Sequence, residues 1–140
     1  MCNTRTISRP RLHLAPRQTL LLILLPMLAT FVGQRLYLHL IRVQHIHAAG
    51  YLLHHLFTGT LIVIPSAFIL AFGTRNRLLT FLAPATLGIG SAMILDELVY
   101  LVATKATDSD YISPLSLWGA TIFISTAVLF LLFLYRCHRD

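Results

Sequence analysis

Charged side chains are scarce in this 140-residue chain, in which only 11% of the residues are Asp, Glu, Lys or Arg. A soluble domain of ordinary composition carries about 25% charged residues. With so few charges and 56% hydrophobic residues, the chain lacks the polar surface that a water-soluble fold of this size needs. The mean hydropathy of +0.75 and the recurring long apolar runs therefore predict an integral membrane protein with several spans.

Cysteine and acidic residues are scarce as well. Cys2 and Cys137 lie near the two ends, so they form neither a disulfide framework nor a pair with metal-ligand spacing. Only five residues are acidic against eleven Lys and Arg, which gives a formal net charge of +6. The basic residues lie between the apolar runs, where charge sets membrane topology. We therefore predict the lipid bilayer, and not nucleic acid, as the partner.

Four apolar runs predict helices at about 18–41, 51–72, 78–103 and 115–135, after a basic tail at 1–17. The expected fold is all-α, a four-helix transmembrane bundle that residues 18–140 form as a single domain. A basic segment before an apolar run also resembles a signal peptide. No A-x-A cleavage site follows it, and the helical pattern continues beyond the run, so we expect the first helix to be retained.

Positive charge is distributed unevenly between the two sides of this bundle. One side carries eight arginines, in the N-terminal tail, in the turn after the second helix and at the C-terminus. The other side carries Arg35, Arg42 and Lys105. The positive-inside rule therefore predicts that both termini are cytoplasmic and that the loops at about 35–50 and 104–114 face outward. Tyr111 and Trp118 then fall at the outer interface as aromatic anchors.

Histidines and carboxylates converge on the outer side of this topology. The second helix begins among four histidines, and the outer third of the third helix holds the only two acidic residues in any predicted span. These two helices are antiparallel, and a rise of about 1.5 Å per residue brings both groups to a similar depth. The sequence therefore predicts one site near the outer leaflet. Its six candidate residues are His45, His47, His54, His55, Asp96 and Glu97.

Two adjacent carboxylates are unfavourable in hydrocarbon, and a divalent metal would neutralise their negative charge. Imidazole and carboxylate together suit zinc, iron or manganese. The first hypothesis is accordingly a metal-dependent membrane enzyme that acts on a lipid or another amphipathic substrate. We expect His47, His54 and one of the two carboxylates as ligands, while the other carboxylate acts as general base. Asp96 and Glu97 are thus the candidate catalytic residues.

A second hypothesis needs no catalysis. Asp96 and Glu97 would form ion pairs with Arg35 and Arg42, in a haem-binding or metal-binding subunit or a small transporter component. A proton pathway is less favoured, because the other halves of the second and third helices hold no charged residue. Four spans leave little room for a substrate cavity within one chain. This favours either the second hypothesis or assembly into a homo-oligomer or a larger membrane complex.

The order of these motifs resembles that of small polytopic integral membrane proteins of prokaryotes whose function is uncharacterised. The shared pattern is H-x-H, then H-H at the start of a helix, then G-x-G and D-E in the next helix, here with Gly88 and Gly90 before Asp96 and Glu97. It covers roughly residues 45–100 and implies a multi-pass protein of a prokaryotic inner or plasma membrane. The ligand chemistry is also similar to that of alkaline ceramidases, which have seven spans and different spacing.

Overall fold

Four long helices form the protein in the computed structural model, which describes residues 14–40, 47–48, 51–52, 54–104 and 108–138. The long helices are α1 (Pro16–Leu40), α2 (His55–Phe72), α3 (Arg77–Ala103) and α5 (Pro114–Cys137). Two short strands, β1 (His47–Ala48) and β2 (Tyr51–Leu52), precede α2, and a single turn, α4 (Asp108–Tyr111), precedes α5. The all-α four-helix bundle predicted from the sequence is confirmed.

Each long helix has the length and composition to cross a membrane. With 18 residues, α2 is the shortest and measures about 27 Å, while α3 has 27 residues and measures about 40 Å. The hydrocarbon core of a bilayer is about 30 Å thick. Large apolar side chains cover the outside of the bundle, where a soluble protein would carry charge. The protein is thus a multi-pass membrane protein by its architecture.

The central helix is α3, which packs against α1, α2 and α5. Met27 of α1, Ala92 of α3 and Ile124 of α5 form the buried core at mid-height. Small residues bring the backbones close on the α2 side, since a Cβ atom added to Gly59 would lie 2.7 Å from the carbonyl oxygen of Gly90. Glycine at such positions permits the tight helix packing that is common in membrane bundles.

The starts of α3 and α5 carry side-chain caps. The Asn76 side chain accepts a hydrogen bond from the Leu78 N–H at 2.9 Å, and Ser113 accepts one from the Ser116 N–H at 3.3 Å. These contacts satisfy backbone donors that a helix start leaves unpaired. The start of α2 differs, because its N-cap residue, His54, makes no side-chain cap.

The observed helix limits lie within two residues of the predicted ones, except at the start of α2. The sequence pattern placed that start at Tyr51, whereas α2 begins at His55. Tyr51 and Leu52 instead pair antiparallel with Ala48 and His47. The chain therefore reverses direction before α2. Hydrophobicity alone did not reveal the change, because Tyr51 and Leu52 are as apolar as the helix that follows.

Candidate functional site

A buried polar cluster lies at the end of the bundle where α1 and α3 finish and α2 and α5 begin. Its centre is the acidic pair of α3, with Asp96 1% exposed and Glu97 2% exposed. Asp96 precedes the end of α3 by seven residues, or about 10 Å along the helix. Neighbouring residues on a helix point about 100° apart, so the two carboxylates face different partners.

Asp96 faces α1, where it forms an ion pair with Arg35. The Nε atom of Arg35 lies 2.6 Å from Oδ1 of Asp96, and Nη2 donates to the Asp96 carbonyl oxygen at 3.3 Å. Arg35 is itself only 7% exposed. Each charge is therefore neutralised within the bundle, as the unfavourable transfer of charge into hydrocarbon requires.

Residues before and at the start of α5 complete this pairing. Tyr111 donates its hydroxyl hydrogen to Oδ2 of Asp96, and its carbonyl oxygen accepts from Nη1 of Arg35 at 3.0 Å. Nη2 of Arg35 also reaches the carbonyl oxygen and the Oγ atom of Ser116, at 3.3 and 3.2 Å. All three guanidinium nitrogens and both carboxylate oxygens are thus engaged. We call Arg35, Asp96, Tyr111 and Ser116 the arginine cluster.

Burial and the nearby Asp96 carboxylate raise the pKa of Tyr111 well above its ordinary value of 10.0. The phenol therefore stays neutral and keeps its hydrogen for Asp96. Tyr111 is only 8% exposed, so the expectation that it serves as an interfacial anchor is wrong. Trp118 is 67% exposed on the same side, as the anchor role requires.

Glu97 faces α2 and engages the start of that helix. Its Oε1 atom lies 2.6 Å from Nδ1 of His54, and its Oε2 atom accepts from the backbone N–H of Leu56 at 2.5 Å. Glu97 thus provides from a neighbouring helix the cap that α2 lacks in its own sequence. We call His54 and Glu97 the histidine pair.

Within the described part of the chain, Glu97 engages only one ring nitrogen of His54, Nδ1. An ionised carboxylate only accepts hydrogen bonds, so Nδ1 carries a hydrogen, and in the neutral ring Nε2 then presents its lone pair. The His54 side chain is 18% exposed, whereas that of Glu97 is 3% exposed. Tyr100 separates the pair from the arginine cluster, with its ring centre 6.3 Å from that of His54 and 4.9 Å from that of Tyr111.

Of the two α3 carboxylates predicted to converge with His54, Glu97 contacts it, whereas Asp96 contacts Arg35 and Tyr111. His55, the first residue of α2, is half-buried. His45 and Arg42 lie outside the described residues, as does the side chain of His47. Among the side chains that are described (14–40, 54–104 and 110–138), no three His, Cys, Asp or Glu residues lie close enough to hold one metal ion.

Sequence reasoning anticipated Arg35 as a partner for Asp96 but missed Tyr111 and Ser116. Both lie beyond α3 in the chain, at the start of the last quarter of the sequence. The pattern Tyr111 to Ser116 follows a polar loop, which was the available sign that polar groups return to the bundle there. Whether Tyr111 and Ser116 face the bundle depends on the path of that loop, and hydrophobic periodicity does not encode the path.

The fold and the buried polar clusters define the class of the molecule as a four-helix integral membrane protein. No protein family model, curated protein or solved structure matches the chain at a significant level.

Proposed function

We propose that this membrane protein binds a divalent metal through Nε2 of His54, with Glu97 as the carboxylate that orients the ring. The observation that supports this is the 2.6 Å contact between Nδ1 of His54 and Oε1 of Glu97. Histidines that bind metals usually donate their other ring N–H to a carboxylate or carbonyl, which fixes the tautomer. Glu97 is thereby proposed as a positioning residue, in contrast to the ligand role that the sequence suggested.

The remaining ligands in this proposal are imidazoles that are close in sequence to His54. His45 and His47 are the first candidates, with His55 as the next. Asp96 is a weaker candidate, because a metal would have to displace both Arg35 and the Tyr111 hydroxyl from its oxygens. Imidazole ligands suit zinc and iron, and manganese becomes less favoured when fewer carboxylates take part.

The enzyme hypothesis follows from this metal and concerns the same end of the bundle. A metal ion there would activate water for attack on a lipid or another amphipathic substrate. Both carboxylates that the sequence suggested as catalytic are engaged in the structure, Glu97 by His54 and the Leu56 N–H and Asp96 by Arg35. In this proposal Glu97 therefore acts through His54. That the end of the bundle with the histidine pair faces outward is predicted from the distribution of arginine between the two sides.

Elemental analysis and zinc titration of the purified full-length protein test the proposal. We expect about one metal ion per chain, lost in His54→Ala and bound roughly 10–100-fold more weakly in Glu97→Gln. His138→Ala is the matched control, because His138 is an exposed histidine at the other end of α5. A wild-type protein that binds no zinc, iron or manganese, or a Glu97→Gln variant with unchanged affinity, would contradict it.

A non-catalytic membrane subunit is the second candidate, and the Arg35–Asp96 ion pair favours it. In that case both carboxylates serve to hold helices together, and His54 only fixes the start of α2. The effect of His54→Ala and His54→Gln on stability distinguishes the two candidates. If His54 has a purely structural role, the variants lose stability even in metal-free protein. A haem-binding subunit would show a Soret absorption band.

A further inference from the structure

The end of the bundle opposite the histidine pair is basic. It carries four described arginines, at the start of α1, in the turn after α2, at the start of α3 and at the end of α5. They are Arg17, Arg75, Arg77 and Arg136. The acidic residues in the described part of the chain lie in the last third of α3 or after it, toward the histidine pair. The opposite end therefore carries an excess of positive charge, which attracts anions.

A shallow, open groove of about 500 Å³ lies along the last turns of α5 at this end, and α5 alone supplies its lining residues. Its lining residues are Leu129, Leu132, Phe133, Tyr135 and Arg136. Positions 129, 132, 133 and 136 have the spacing of a single helix face. That face is apolar for about 10 Å and then ends in a guanidinium group. Leu129 and Phe133 are 68% and 61% exposed, so the groove is open to the surroundings of the bundle.

We propose that this groove binds an anionic phospholipid, with an acyl chain along Leu129 and Phe133 and the phosphate at Arg136. The apolar part lies along the helix axis, parallel to the acyl chains of a bilayer. Arg136 and Tyr135 lie at the helix end, where cationic and aromatic side chains meet lipid headgroups. Anionic lipids attract basic residues at a membrane surface. Each basic residue raises the binding constant by about five-fold.

Two other occupants fit the groove less well. A free phosphate or other soluble anion would gain nothing from the exposed Leu and Phe side chains. A second copy related by a two-fold axis would place this face against itself, which brings Arg136 close to the partner's Arg136. A lipid with a negative headgroup matches both the apolar and the charged part of the groove.

Native mass spectrometry of the full-length protein in detergent, titrated with phosphatidylglycerol or phosphatidylcholine of identical chains, tests this inference. We expect phosphatidylglycerol to bind more tightly and Arg136→Gln to reduce that preference about five-fold. The control is Arg75→Gln, because Arg75 is an exposed arginine at the same end but outside the groove. Its preference should stay close to that of the wild type.

Several results would overturn the proposal. One is an equal loss in Arg75→Gln and Arg136→Gln, which indicates diffuse surface charge. Another is competition by glycerophosphoglycerol, the same headgroup without acyl chains, which assigns the site to a soluble anion. A change of oligomeric state in Arg136→Gln without any change in lipid preference would assign the groove to a second copy. Because the groove lies far from the histidine pair, none of these results depends on metal binding.

Discussion

Removal of Arg35 should be among the most damaging single substitutions in this protein. In Arg35→Met, the carboxylate of Asp96 keeps the Tyr111 hydroxyl but loses its only described cation. The Arg35 side chain is 8% exposed and that of Asp96 is 1% exposed, so water neither screens the pair nor replaces the missing partner. Removal of one member of a buried ion pair costs about 3–5 kcal/mol. We expect a loss of that size in the free energy of unfolding.

The same reasoning predicts a partial rescue. Adding Asp96→Asn to Arg35→Met removes the stranded charge, while the amide oxygen still accepts the Tyr111 hydroxyl. We expect the double variant to regain about 1–3 kcal/mol relative to Arg35→Met alone, as contacting residues commonly show in double-mutant cycles. The control is Arg77→Met at the exposed start of α3, with an expected change within about 0.5 kcal/mol.

Unfolding by SDS in mixed micelles, followed by far-ultraviolet circular dichroism, gives the free energies of the wild type, of the two single variants Arg35→Met and Asp96→Asn, of the double variant and of the Arg77→Met control. An Arg35→Met variant within about 1 kcal/mol of the wild type, the size of an exposed salt bridge, would contradict the expected loss. A double variant as unstable as the sum of the two single changes would show that the two side chains do not interact.

Two further predictions concern packing and pH. Gly88→Ala should destabilise by about 1–3 kcal/mol, because the added methyl group would overlap a backbone carbonyl of α1. Gly33→Ala, with nothing near its Cβ position, should be neutral or slightly stabilising, and equal losses in the two variants would refute the close approach. The raised pKa of Tyr111 means that the folded protein retains a proton which the unfolded chain releases above about pH 10. Stability should therefore fall as the pH rises past 10, and Tyr111→Phe should remove that part of the pH dependence while costing about 1.5–3 kcal/mol at neutral pH. An identical alkaline slope in the wild type and Tyr111→Phe would contradict the assignment.

The sequence predicted the spans because hydrophobic length is encoded residue by residue. It also predicted that His54 would meet an α3 carboxylate, which is Glu97, since a fixed rise per residue sets the depth of each group. The division of roles between Asp96 and Glu97 was not predictable in the same way. That division depends on how α3 is rotated against α1 and α2, which follows from close contacts such as Gly59 on Gly90.

The start of α2 shows the other limit of the sequence pattern. An apolar run at Tyr51 and Leu52 predicts helix, but pairing with His47 and Ala48 is a non-local contact that periodicity does not contain. The position of the helix start also depends on Glu97, which lies 41 residues after the Leu56 N–H that it caps. The metal-ligand set stays a prediction, because the side chains of His45 and His47 lie outside the described residues.

The Arg35–Asp96 pair has a consequence for biosynthesis, since its members are 61 positions apart in the chain. At a translation rate of about 5–20 residues per second, Arg35 is synthesised roughly 3–12 seconds before Asp96. During that interval the α1 guanidinium has no carboxylate within a membrane segment to neutralise it, and its long side chain would extend to the lipid headgroups. A nascent chain arrested before α3 would thus display an orphan cation at the bilayer surface, which the mature protein buries.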